Sequence, residues 1–192
     1  MQNIVVFLSF FYFKTTIYMH FFIPAYYPVS FHIIACEVRF MLKKYKPYII
    51  QVLIALAVGA LAGFLTRGSD NIYEEVIKPP LAPPPILFPI VWTILYTLMG
   101  VSAGIVSKVS GKVPFIYFLQ LAVSFFWPII FFNMQSFLFA FIWLVLLWVL
   151  IIAMIFEFAR VNKLAALLQI PYLLWVTFAG YLNFFIWLYS SY

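Results

Sequence analysis

Trp92 and Tyr96 stand four residues apart, as do Trp127 and Phe131, and Trp175, Ala179 and Asn183 continue the same spacing further along the chain. Side chains four apart share one face of a helix. Each set is therefore a stripe of rings with few polar atoms. A stripe of this kind holds no nucleophile and no group that titrates near neutral pH. Its chemistry is stacking and apolar contact, which suits a flat apolar ligand steadied by one or two hydrogen bonds. On composition alone the same stripes read first as core packing. Conventional catalytic groups are scarce. The two histidines are His20 and His32, the single cysteine is Cys36, and from Met41 onward there is neither. That excludes a Ser–His–acid triad, a zinc site and a haem axial histidine from the remaining chain. It also removes any intrachain disulfide. Glu157 stands one turn before Arg160. The two read as an interfacial pair more readily than as a proton relay, and buried carboxylates of the kind an ion-coupled pump uses are lacking.

The elements that carry these stripes are set by the solvent. Of 192 residues, 67% are apolar, 22% aromatic and only 8% charged, and the mean hydropathy is +1.12. A soluble domain carries about 25% charged residues, and one of this size has too much surface to hide so much apolar material. A soluble enzyme, a nucleic-acid-binding domain and a disordered tail are excluded, and the net charge of +6 is scattered rather than gathered into a patch. The partner is a lipid bilayer, with no nucleic acid.

A span of roughly 30 Å of hydrocarbon takes about 20 apolar residues in a helix, and an open strand leaves its backbone unsatisfied in lipid. Five runs are long enough: about 48–65, 86–107, 114–133, 136–156 and 165–189. The fold class is therefore all-α, an integral membrane bundle of five transmembrane helices, with or without an extra N-terminal hydrophobic segment. Only Met134 and Gln135 separate the third run from the fourth, so these two helices are antiparallel neighbours. The loop after the first run holds Pro79, Pro80, Pro83, Pro84 and Pro85, a stiff non-helical stretch with the marks of function. Residues 1–40 stand apart, and Met41-Leu42-Lys43-Lys44 resembles the start of a membrane protein, so 1–40 reads as an upstream extension and 41–192 as the membrane domain. Small residues recur at Ala55, Gly59 and Gly63 and at Gly100 and Gly104, a spacing that serves either packing inside one bundle or a dimer face. Arg39, Lys43, Lys44, Lys46, Lys108, Lys112, Arg160 and Lys163 fall on one side of the five spans, against Arg67 and Lys78 on the other. The positive-inside rule puts the segment before the first helix in the cytoplasm and the proline loop and C-terminus outside.

The strings Lys78-Pro79-Pro80-Leu81-Ala82-Pro83-Pro84, Phe88-Pro89-Ile90-Val91-Trp92-Thr93-Ile94-Leu95-Tyr96, Trp127-Pro128 with Phe131-Phe132, and Pro171-Tyr172-Leu173-Leu174-Trp175 through Asn183 occur in this order. They resemble the TspO/translocator-protein family, also called tryptophan-rich sensory proteins or peripheral-benzodiazepine-receptor-like proteins. The resemblance implies a five-helix bundle, often a homodimer, in a bacterial plasma membrane. Its pocket binds porphyrins such as protoporphyrin IX, and drug-like molecules, as ligands rather than as a required cofactor, and no metal is implied. Mapped by motif, the ligand-binding wall is Trp92, Tyr96, Ser124, Trp127, Phe131, Trp175 and Ala179, with Asn183 as a polar lining group. Three roles follow from the resemblance: a receptor or sensor, a light-dependent porphyrin-degrading enzyme using Trp92 and Trp175, and a passive tetrapyrrole or sterol transporter. In the first, Lys78 or Arg67 meets the propionates. Departures from the pattern are Leu81 for a tryptophan, Ile86 for an aromatic and Ser124 for an asparagine. Phe184, with no basic residue after it, lacks the proposed sterol motif, itself a weak pattern.

Overall fold

The computed structural model describes residues 28–69 and 72–190. The chain divides into two units, Met1–Lys44 and Tyr45–Tyr192. In the first, the described residues are helical, and those from Cys36 on are exposed; the reading of 1–40 as an extension lies largely outside the described residues. The second unit carries the bundle. Its elements are α1 (Pro28–Leu65, of which the part from Tyr45 belongs here), the short α2 (Ile72–Glu75), α3 (Leu87–Ser110), α4 (Phe115–Pro128) continued by a π-helical turn (Ile129–Asn133), α5 (Phe137–Val161), the short α6 (Lys163–Leu167) and α7 (Ile170–Ser190). No strand occurs among the described residues. Five stretches are long and apolar enough to cross a membrane: Cys36–Leu65, Leu87–Ser110, Phe115–Asn133, Phe137–Val161 and Lys163–Tyr189.

The five runs appear as helices, and their ends differ from the sequence reading for local reasons. The first run is not started by Pro47, which lies inside α1. The second continues past Lys108, whose charge suits the last turn of a helix. It ends where Gly111 turns left-handed (φ 76°) and donates its N–H to the carbonyl of Ser107, a conformation that glycine adopts without strain. The third is interrupted by Pro128, which has no N–H to donate. Beyond it the hydrogen bonds lengthen to the i+5 register, with the Met134 N–H on the Ile129 carbonyl at 3.0 Å. The fourth carries on through Glu157 and Arg160 to Val161. Both side chains are exposed, and no ion pair joins them. The fifth is two helices rather than one. Extended Asn162 caps α6 by accepting the Ala165 N–H at 3.1 Å, and Pro171 sits in the first turn of α7, where a missing N–H costs nothing.

α4 and α7 pack against α5, and α6 packs against α5 and α3. Ser102 on α3 ties down α6 by donating to the Ala165 carbonyl at 2.6 Å. Met99, Val106, Tyr117, Leu147, Met154 and Phe158 are fully buried. Two buried tyrosines satisfy their hydroxyls internally: Tyr172 donates to Gln120 Oε1 at 3.0 Å, and Tyr117 donates to the Gln51 carbonyl at 3.4 Å.

The glycines of α3 are used inside the chain. A Cβ on Gly100 would lie 2.3 Å from the Cα of Val52, and one on Gly104 would lie 2.7 Å from the Cα of Tyr48. The small residues bring α1 and α3 into backbone contact, so of the two uses of this spacing the bundle takes internal packing. Gly180 on α7 has nothing within 4 Å of such a Cβ. Gly100→Ala is therefore expected to cost about 1–3 kcal/mol through forced separation of the helices, while Gly180→Ala costs nothing, as read from reversible unfolding in mixed micelles. Equal stability of the two variants would contradict this packing.

Candidate ligand-binding site

α3 presents Trp92 and Tyr96 one turn apart, with ring centroids 5.5 Å from each other. α4 places Trp127 alongside, stacked on Trp92 at 6.2 Å and 30°, and the edge of Tyr172 from α7 closes the group at 6.1 Å from Trp92. Each such contact adds about 0.5–1.5 kcal/mol beyond the area it buries. The Tyr96 hydroxyl and Ser124 Oγ are 3.0 Å apart and hydrogen-bonded, a buried link from α3 to α4. Opposite the rings, α1 offers Leu56, Gly59, Ala60 and Gly63. A Cβ on Gly59 would fall 2.4 Å from the Tyr96 ring, so only glycine lets that ring lie against α1. The space left between α1, α3 and α4 is a cavity of about 720 Å³.

Its cover comes from the loop after α1. Tyr73, in α2, is 5% exposed and lines the cavity. Its hydroxyl donates to the Pro83 carbonyl at 3.1 Å, and its ring meets Phe88 edge-on at 5.1 Å. Burial pushes the Tyr73 phenol above its ordinary value of 10.0, so it remains a donor throughout the physiological range. The exposed ammonium of Lys78 stands 5.0 Å over the same ring, a contact worth about 0.5–1 kcal/mol. The proline segment is thus pinned to the cavity through one tyrosine. Pro85, Ile86 and Pro89 complete the rim.

Of the eight residues expected at a ligand site, Trp92, Tyr96, Ser124 and Trp127 come together on this cavity. The other four do not line it. Phe131 is 3% exposed and backs Trp127 at 5.7 Å. Trp175 is half-buried and touches Phe88 at 6.0 Å. It lines instead a second, apolar groove of about 400 Å³ between α3 and α7, with Val91, Leu95 and Phe178. Ala179 and Asn183 are buried in the bundle, and both side-chain polar atoms of Asn183 lack a hydrogen-bond partner. The stripe on α7 therefore faces packed helix and groove rather than the cavity. Tyr73, Gly59 and Phe88 are lining residues that the sequence reading did not select as ligand groups. The signal for Tyr73 was one aromatic ring in a loop of charges and prolines; Gly59 was seen only as a packing residue. Leu81, at the position where the resemblance leads one to expect a tryptophan, is 70% exposed and does not line the cavity.

Five helices long and apolar enough to span a membrane, three of them lining an aromatic cavity, define an integral membrane protein with an apolar site. Residues 51–188 match the TspO/MBR family, and the chain belongs to it. The Tryptophan-rich protein TspO of Chlorobaculum tepidum is 48% identical over 69 residues, 36% of this chain and 44% of that protein. The Tryptophan-rich protein TspO of Archaeoglobus fulgidus is 34% identical over 146 residues, 73% of this chain and 95% of that protein. The Tryptophan-rich sensory protein of Cereibacter sphaeroides is 34% identical over 75 residues, 39% of this chain and 48% of that protein. The chain thus spans less than half the length of the Chlorobaculum and Cereibacter relatives.

Removing the tyrosine hydroxyl isolates its part in the cover. In Tyr73→Phe the ring and the lysine contact stay and the bond to Pro83 goes, a loss of about 0.5–1.5 kcal/mol. The Ala82 amide, which donates to the Pro79 carbonyl at 2.9 Å, is expected to exchange with deuterium about three- to tenfold faster. An unchanged rate would show that the loop is held by something else.

Proposed function

We propose that this chain is a membrane receptor of the sensor type, which takes a tetrapyrrole such as protoporphyrin IX, or a molecule of similar flat apolar shape, into the cavity between α1, α3 and α4. The observation that carries the reading is the geometry of that cavity. Its volume of about 720 Å³ lies in the range of small-molecule sites, roughly 300–1,000 Å³. Trp92 and Trp127 bring a stacked pair of indoles to the cavity, and on the facing helix Gly63 has open space where a side chain would stand. A macrocycle gains stacking on one side and close backbone approach on the other.

The lining favours binding over chemistry. It holds no carboxylate, imidazole or thiol, so no acid–base pair stands ready beside a bound molecule. Tyr96 and Ser124 share one hydrogen bond, which leaves one of their O–H donors and the Trp127 indole N–H for a guest, and the rest of the affinity comes from apolar contact. The word "sensory" in the name of the Cereibacter sphaeroides relative is in keeping with this reading. A sensor needs only that the cavity be filled and that the cover respond, and the clasp at Tyr73 provides a point at which filling reaches the loop.

Titration of the purified protein with protoporphyrin IX, followed by tryptophan quenching, tests the assignment. Stacking on an aromatic side chain is worth about 1–3 kcal/mol, so Trp92→Ala and Trp127→Ala should each weaken binding about tenfold or more. Trp175→Ala, outside the cavity, should change it less than about threefold. The reverse ranking would move the ligand to the groove between α3 and α7.

A further inference from the structure

We propose that Lys78 is the specificity-determining residue for a carboxylate on the ligand, so that the cavity selects an amphipathic acid over its neutral ester. The inference rests on the receptor reading above and adds the chemistry of one end of the ligand. Three observations carry it. The Lys78 ammonium lies 5.0 Å over the ring of Tyr73, and that ring lines the cavity. The charge therefore sits on the cover of the cavity, exposed but held beside a ring that lines the space. Tyr73 is in turn fixed by its bond to Pro83 and its edge contact with Phe88, so the lysine is presented from a rigid base. Among the described residues no carboxylate pairs with Lys78.

The lining itself holds no charged side chain among the described residues. A carboxylate entering with an apolar body can lie neither among the tryptophans nor on the glycine face without losing its hydration. It must stay at the rim, and the ammonium held over Tyr73 is placed to meet it there. Arg67, the other basic residue on this side of the spans, is exposed, and among the described residues no side-chain contact joins its guanidinium to the lining. The two cations are therefore not equivalent, and the geometry selects Lys78.

Protoporphyrin IX and its dimethyl ester share the macrocycle and differ in charge. Both are titrated in neutral detergent into the wild-type chain, Lys78→Met, which keeps an apolar stem, and Lys78→Arg, which keeps the charge. The wild type should prefer the diacid about five- to tenfold. Lys78→Met should lose that preference through weaker diacid binding alone, with ester affinity unchanged, and Lys78→Arg should keep it. A preference that survives in Lys78→Met overturns the inference and leaves the receptor reading standing. Failure of the wild type to bind either compound overturns both. A repeat in nanodiscs with anionic lipid separates ligand from headgroup: a preference lost only there gives Lys78 to lipid phosphate and overturns the assignment.

Discussion

Hydrocarbon offers no partner to a backbone N–H or C=O, and in this chain nearly every feature of the site answers to that fact. A wall that faces lipid on one side must be a helix, so the cavity has helices for sides and irregular backbone only at its cover. Several polar side chains answer to it on a smaller scale, while Gln169 and Asn183 are buried with their amides unpaired. Ser102 reaches the Ala165 carbonyl, Tyr172 reaches Gln120, and Tyr96 pairs with Ser124. With most of these hydroxyls committed to holding helices together, what remains for a guest is mainly surface: indole, phenyl and glycine.

Close approach then determines where the surface is. Gly100 and Gly104 let α1 reach the backbone of α3, while Gly59, on the same α1, accepts the Tyr96 ring instead. One run of small residues thus does two things, zipping the helices along one stretch and opening a hollow beside it. The cover is a matter of a few contacts. Tyr73 joins the cavity, the proline segment and Lys78 through one side chain.

The number of spans and the positions of the ring stripes on α3 and α4 were legible in the sequence, because lipid imposes long apolar runs and a four-residue spacing places side chains on one face. The short breaks were less so. Pro128 and Pro171 announce a disturbance, but whether it becomes a π-helical turn or a separate α6 depends on which neighbouring carbonyls find donors. The α7 stripe shows the limit most plainly. Trp175, Ala179 and Asn183 do share a face, yet periodicity does not say which neighbour that face meets. In the structure Trp175 meets Phe88 and a groove, while the rest of the stripe is buried in the bundle. Tyr73 was hidden for the opposite reason: its role depends on a bond to Pro83, ten residues on in an irregular loop, and no periodic signal marks such a pair.

A crystal structure of the protein grown with protoporphyrin IX in lipidic mesophase tests the account most directly. It should place the macrocycle against Trp92 and Trp127, facing Gly63 and beneath Tyr73. A macrocycle lodged between α3 and α7 against Trp175, or lying on the outer surface with the inner cavity filled by the chain's own side chains, would contradict it.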